Sequence, residues 1–182
     1  MKPFIVRARI LVPSILICIT SSIHVQANDG IEVAGDVLAY LLPATAGGLT
    51  LGYKDGKGTL QFAESTALAL GSTLALKYTI RERRPNHDDH YSFPSAHSSV
   101  SFSSAEFLRM RYGCEYGIPG YAVATFVAFS RVRAKQHYLH DVIAGAAIGI
   151  VSSCLFTQPY KGWHVQPDID TKSYGLRLSG SW

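Results

Sequence analysis

The chain has 182 residues, room for one domain and not comfortably for two. With 47% apolar and 16% charged residues it is not a disordered chain, and a mean hydropathy of +0.12 is low for a mostly membrane-embedded one. Its 17 Lys and Arg against 13 Asp and Glu give +4, but Lys2, Arg7 and Arg9 precede every acid; residues 28–182 carry only +1, which gives no support to a nucleic-acid partner. Three cysteines exclude a disulfide-dense scaffold.

The first nine residues are basic, residues 10–23 are mostly apolar around Pro13 and Ser14, and Val25-Gln26-Ala27 places small residues at a cleavage position. Segment 1–27 therefore reads as a signal peptide, with an uncleaved transmembrane helix as the alternative. Ile17 stands where a lipoprotein signal before Cys18 needs a small residue. Either way the remainder is exported, periplasmic or bound to an envelope membrane. Residues 28–157 read as one helical domain and 158–182 as a tail.

Five apolar stretches follow in order: 31–51, 60–80, 95–111, 118–131 and 137–156. Pro43 and Gly47-Gly48 are expected to kink or break the first. Few β-branched alternations occur before residue 158, so the expected class is all-α, a bundle of five to six helices. The third and fourth stretches are short for spanning and carry Ser, Glu106 and Arg109. A soluble or membrane-surface domain is the expectation, and an integral protein with its site facing the periplasm the alternative. In the polar tail, Tyr174, Leu176, Leu178 and Trp182 share one face at period two, which suits an appended tail or an edge strand. Cys114 and Cys154 fall at the same end of the bundle, where a disulfide is geometrically possible.

Three segments carry chemistry. Lys77, Arg81, Arg83 and Arg84 lie within eight positions, either complementing a helix C-terminus or gripping an anion. Pro94-Ser95-Ala96-His97 suits a helix start, with Ser95 as N-cap and His97 beside free backbone N–H groups. His137 and Asp141 are four apart, placing them on one helical face, where a carboxylate on one ring nitrogen leaves the other nucleophilic; His140 faces elsewhere. Arg131, Arg133 and Lys135 add cations. A metal on the His/Asp pair would want further ligands among neighbours that are cationic, and His87, Asp88, Asp89 and His90 read as a solvated loop. No metal site is expected.

Together these segments resemble the type-2 phosphatidic acid phosphatase/vanadium haloperoxidase superfamily. Its pattern is Lys-x6-Arg-Pro, Pro-Ser-Gly-His and Ser-Arg-x5-His-x3-Asp, matched here by Lys77…Arg84-Pro85, Pro94-Ser95-Ala96-His97 and Ser130-Arg131…His137…Asp141. Ala96 departs from the usual Gly, and only eight residues separate Pro85 from Pro94, which leaves little lid. The resemblance implies that His137 attacks phosphorus, Asp141 orients it, and His97 protonates the leaving oxygen and then activates water. It implies that Lys77, Arg84 and Arg131 hold the phosphoryl oxygens with Ser95 and the Ala96 N–H. No cofactor is implied, although phosphate or vanadate would fit the same residues.

The resemblance thus implies an exported, metal-independent phosphatase acting on a monoester or diphosphate. The apolar helices and short loop point to a phosphorylated lipid at a membrane surface. A phosphatase of small soluble esters and, in third place, a vanadium haloperoxidase are the alternatives. A non-catalytic envelope-assembly protein ranks last.

Overall fold

The computed structural model describes residues 27–160, 162–170 and 173–181, with side chains over 30–160. The expected signal segment, apart from Ala27, lies outside the described residues, as does Trp182. The described residues form five helices and a hairpin. The helices are α1 (Ala27–Gly52), α2 (Gly56–Ile80), α3 (Ala96–Tyr112), α4 (Cys114–Arg133) and α5 (Leu139–Phe156); β1 (Gly162–Asp170) and β2 (Ser173–Ser181) follow. The class is all-α, as the apolar stretches suggest.

Of the kink or break expected at Pro43 and the glycine pair, the break does not occur: α1 is one continuous helix. Pro43 removes one backbone donor, but Ala39, Leu42, Ala46 and Thr50 are buried at three- and four-residue spacing, so packing along one face carries the helix across the gap. Asp55 caps α2 by accepting from the Gly58 N–H at 2.9 Å. Gly113, at φ +102°, alone separates α3 from α4, so α4 starts four residues earlier than the sequence suggests. The tail pairs with itself rather than lying alone: β1 and β2 are antiparallel, from Gly162 opposite Ser181 to Asp170 opposite Ser173.

α3 sits at the centre and packs against the four other helices. Its Ser98, Ser99, Ser101, Ser103 and Ser104 are all fully buried. Small residues let the backbones close up. A Cβ on Gly145 would lie 2.4 Å from the Ser95 carbonyl oxygen, and one on Gly149 2.2 Å from that of Ser99. Ser153 Oγ donates to Ser103 O at 2.7 Å across the same seam. The outside is apolar by contrast: on α5, Leu139, Ile143, Val151 and Leu155 are exposed, whereas Gly145, Gly149, Ser152 and Ser153 are buried. Among the described residues, two helical segments, Gly30–Gly52 and Leu139–Phe156, are long and apolar enough to cross a membrane.

The bundle runs up and down, so the start of α1, the end of α2, the start of α3, the end of α4 and the start of α5 meet at one end. At the other end Arg111 closes the fold. Its Nε donates to Asp55 Oδ2 at 2.7 Å and its Nη1 to the Gln158 carbonyl at 2.7 Å, tying α3 to the α2 cap and the chain beyond α5. Cys114 and Cys154 are both free thiols and so form no disulfide; Cys154 Sγ lies 3.3 Å from Glu106 Oε1, its hydrogen-bond acceptor.

Candidate active site

The three sequence segments meet at the first of these ends. His137 lies in the bend just before α5, not on the helix as its spacing suggested. The approach to Asp141 comes from a cap instead. Tyr138 is the N-cap of α5, and Asp141 at the third helical position turns back to accept from the Tyr138 N–H at 2.8 Å. That turn brings Asp141 Oδ2 to 3.5 Å from His137 Nδ1 and lets it accept from the Ser92 hydroxyl as well. Both His137 and Asp141 are buried. The ring's Nε2 is left as the nitrogen not turned to the carboxylate.

His140 does not face elsewhere, as adjacency on a helix suggested. The same backward turn places Asp141 Oδ1 3.1 Å from His140 Nε2. His140 Nε2 is also 3.0 Å from Glu82 Oε1.

Ser95 caps α3 and is fully buried. Its N–H donates to the Asp141 carbonyl at 3.0 Å and its Oγ accepts from Ser98 N–H at 3.5 Å. Ser95 therefore locks the start of α3 to the start of α5, and only its hydroxyl proton is left to donate outward. Ala96 and His97 open the helix, where backbone N–H groups have no partner within the first turn.

The cations converge on the two histidines. Arg84 Nε donates to Asp89 Oδ1 at 2.8 Å and its Nη1 to Gln136 Oε1 at 2.7 Å. Lys77 Nζ donates to the Tyr91 carbonyl. Arg131 is buried and donates from Nη1 to Asp36 Oδ1 at 2.6 Å and from Nη2 to the Glu32 carbonyl at 2.7 Å. Asp36 Oδ1 also lies 3.3 Å from His97 Nε2. Nothing in the sequence pattern singled out Asp36; its one signal was a carboxylate in a stretch that is apolar apart from it and Glu32.

Burial, then the Arg84 and Lys77 charges, push the pKa of His137 below the usual imidazole value against the pull of Asp141. Burial, then Arg131, do the same to His97 against the pull of Asp36. Lys77 falls to about 8 through burial and the Arg84 charge. Such a site holds an imidazole of lowered pKa inside a cationic cradle, an arrangement suited to a tetrahedral oxyanion. Within the loop expected to be solvated, Asp89 pairs with Arg84 and Asp88 accepts from Asn86 Nδ2 at 2.6 Å.

Known proteins share this frame. The chain is 31% identical over 176 residues, covering 85% of itself and 88% of the other protein, to a lipid A 4'-phosphatase of Helicobacter pylori. A lipid A 1-phosphatase of Porphyromonas gingivalis is 35% identical over 99 residues, 53% of this chain and 22% of that protein. The crystal structure of Aquifex aeolicus LpxE superposes with a TM-score of 0.55 at 21% identity, over 69% of this chain and 84% of that one. The PAP2 superfamily pattern matches residues 58–163, from the first turn of α2 past the end of α5 and so across all three segments of the site: the chain belongs to the PAP2 superfamily.

Proposed function

We propose that this protein is an exported lipid phosphatase that removes a phosphate from lipid A or a closely similar phosphorylated glycolipid. The observation that carries the reading is the convergence of His137, His97, Lys77, Arg84 and Arg131 at one end of a bundle whose outer face is apolar. The more extensive of the two matches is to a 4'-phosphatase, which favours the 4'-phosphate.

The reaction runs in two steps. His137 Nε2 attacks phosphorus, forming an N–P bond as the P–O bond to the lipid breaks, and His97 gives its proton to the leaving oxygen. Water then attacks phosphorus, His97 takes its proton, the N–P bond breaks and inorganic phosphate leaves. Asp141 holds His137 through Nδ1 and offsets the imidazolium charge. Lys77, Arg84 and Arg131 neutralise the phosphoryl oxygens, with the Ala96 N–H and the Ser95 hydroxyl beside them. Side-chain charge supplies this neutralisation, so the reaction is independent of divalent metal.

Two features support a lipid. The exposed apolar residues of α1 and α5 suit contact with acyl chains, as buried small residues and outward large ones do in membrane bundles. An apolar groove of about 260 Å3, lined by Ala39, Tyr40, Pro43, Leu70, Ala96 and Val100, opens beside His97. The site end faces the periplasm in this reading.

The test is phosphate release by the full chain in detergent with chelator present, comparing lipid A with soluble phosphate esters. His137→Ala runs in parallel. Chelator-resistant release from lipid A that disappears in His137→Ala is the expected result. Preference for soluble esters would reassign the protein to the acid phosphatases.

A further inference from the structure

Asp141 divides its two oxygens between two neighbourhoods. Oδ2 serves the reacting side: the Ser92 hydroxyl, the Tyr138 N–H at 2.8 Å and His137 Nδ1 at 3.5 Å. Oδ1 is buried and has no hydrogen-bond partner, on a side chain that is 0% exposed. It points to a second cluster, in which His140 Nε2 lies 3.1 Å from Asp141 Oδ1 and 3.0 and 3.1 Å from Glu82 Oε1 and Oε2.

A ring nitrogen carries at most one proton, and three carboxylate oxygens crowd this one. One N–H satisfies one of the two carboxylates well and leaves the other beside it as a like charge. A divalent cation satisfies all three groups at once. One ligand atom from each of Glu82, His140 and Asp141 lies within 4.8 Å of the others. Zinc bonds of about 2.0–2.1 Å to nitrogen and oxygen set tetrahedral ligand–ligand edges of about 3.3 Å, so the His140–Asp141 and His140–Glu82 pairs need to open by only a few tenths of an ångström.

The ligands are held and reachable. The His140 ring is stacked on Tyr138, with centroids 5.4 Å apart and planes 9° apart, and lies 6.0 Å from the Phe93 ring. The His140 side chain is 56% exposed and that of Glu82 31%, so an ion enters from solvent and water completes its shell. One imidazole with two carboxylates suits zinc-class ions better than magnesium, which prefers six oxygens.

We infer that Glu82, His140 and Asp141 form a binding site for a zinc-class divalent cation that acts as an inhibitor of the neighbouring centre. The ion is not a reactant. Bound at Oδ1, it draws carboxylate charge away from Oδ2 and weakens the hold of Asp141 on His137. The inhibition rests on the proposed phosphatase reaction; the binding does not.

The experiment therefore has two arms, both on the full chain in detergent after chelator treatment. In the first, Co2+ is titrated as a spectroscopic stand-in for zinc. The expected result is a visible ligand-field band, displaced by Zn2+, whose affinity falls at least tenfold in Glu82→Gln and in His140→Ala. In the second, Zn2+ lowers phosphate release, chelator restores it, and Glu82→Gln needs at least tenfold more Zn2+ while keeping metal-free turnover. Glu82→Gln is nearly isosteric, so loss of folding in His140→Ala leaves the inference testable. Absence of the band, or variants that bind like the parent, overturns the site. A band with the expected losses in a protein that hydrolyses no phosphate ester keeps the site and overturns the phosphatase reading instead.

Discussion

Asp36 Oδ1 sits 2.6 Å from Arg131 Nη1, so a carboxylate of α1 holds a guanidinium of α4 that the family pattern assigns to the phosphate. The same oxygen is 3.3 Å from His97 Nε2. Asp36 thus sets the position of one cation and favours protonation of the proposed acid. Asp36→Asn is expected to lower kcat/KM about 10- to 100-fold, the scale of a hydrogen bond to a charged group at about 1.5–3 kcal/mol. It removes the one influence that raises the His97 pKa, so the pH optimum moves to lower pH. A pH–rate profile with unchanged optimum would assign Asp36 a purely structural part.

Lys77 is the cation whose charge is lost first as pH rises. Its lowered pKa of about 8 means that the ammonium is fully charged below pH 7 and mostly neutral by pH 9. His97 and His137, both pushed below the usual 6.5, are already neutral throughout that window and add nothing to it. Inorganic phosphate is a convenient probe, because it stays a dianion above pH 8. Its affinity as a product inhibitor is expected to weaken between pH 8 and 9.5 in the parent. Lys77→Arg keeps the charge and should flatten that fall; equal slopes in the two proteins would remove Lys77 from the anion site.

Glycine spacing along α5 controls how the site is assembled. Gly145→Ala would place a methyl 2.4 Å from the Ser95 carbonyl oxygen and force α5 away from α3. The Ser95 N–H to Asp141 O bond, 3.0 Å long, lies at that contact. Overpacking costs about 1–3 kcal/mol, and here it separates His97 from His137 and Asp141. Both thermal midpoint and turnover should drop. Gly71→Ala is the control: nothing lies within 4 Å of its added methyl, and alanine favours the helix by about 1 kcal/mol. A Gly145→Ala protein as stable and active as the control would show that this seam is looser than described.

Much of the fold and the meeting of the three segments were legible because each segment marks a helix end, and an up-and-down bundle brings alternate ends together. Residues were misplaced where tertiary structure overrides local pattern. Pro43 sits inside a continuous helix because one face of α1 is packed throughout. His137 and His140 were read by helical spacing, whereas a cap that folds Asp141 backward decides both contacts. Asp36 has no motif around it and shares its apolar stretch with a second carboxylate, Glu32. The polar composition of the third stretch does not mark a solvent-facing helix: its serines are buried, and the Ser103 carbonyl accepts from Ser153 Oγ across the α3–α5 seam. Composition counts these serines as polar surface; the structure spends them on the interior and leaves leucine, valine and isoleucine outside.

The groove beside His97 offers a test between a lipid enzyme and one for small esters. Val100 lines it one turn along α3 from Ala96, away from the reacting atoms. Val100→Phe would fill part of a space of about 260 Å3 without touching a charged group. If an acyl chain lies there, the KM for a lipid substrate should rise about tenfold, consistent with about 1–3 kcal/mol for a pocket change of methylene scale. Turnover of a soluble aryl phosphate should stay within about twofold, since its binding is confined to the phosphate cradle. Ala96 borders both the groove and the cradle, so its methyl is the natural boundary between chain and headgroup. Equal losses on lipid and soluble substrates would mean that the substitution disturbs His97 rather than a lipid path, and the groove would then have no part in selecting the substrate.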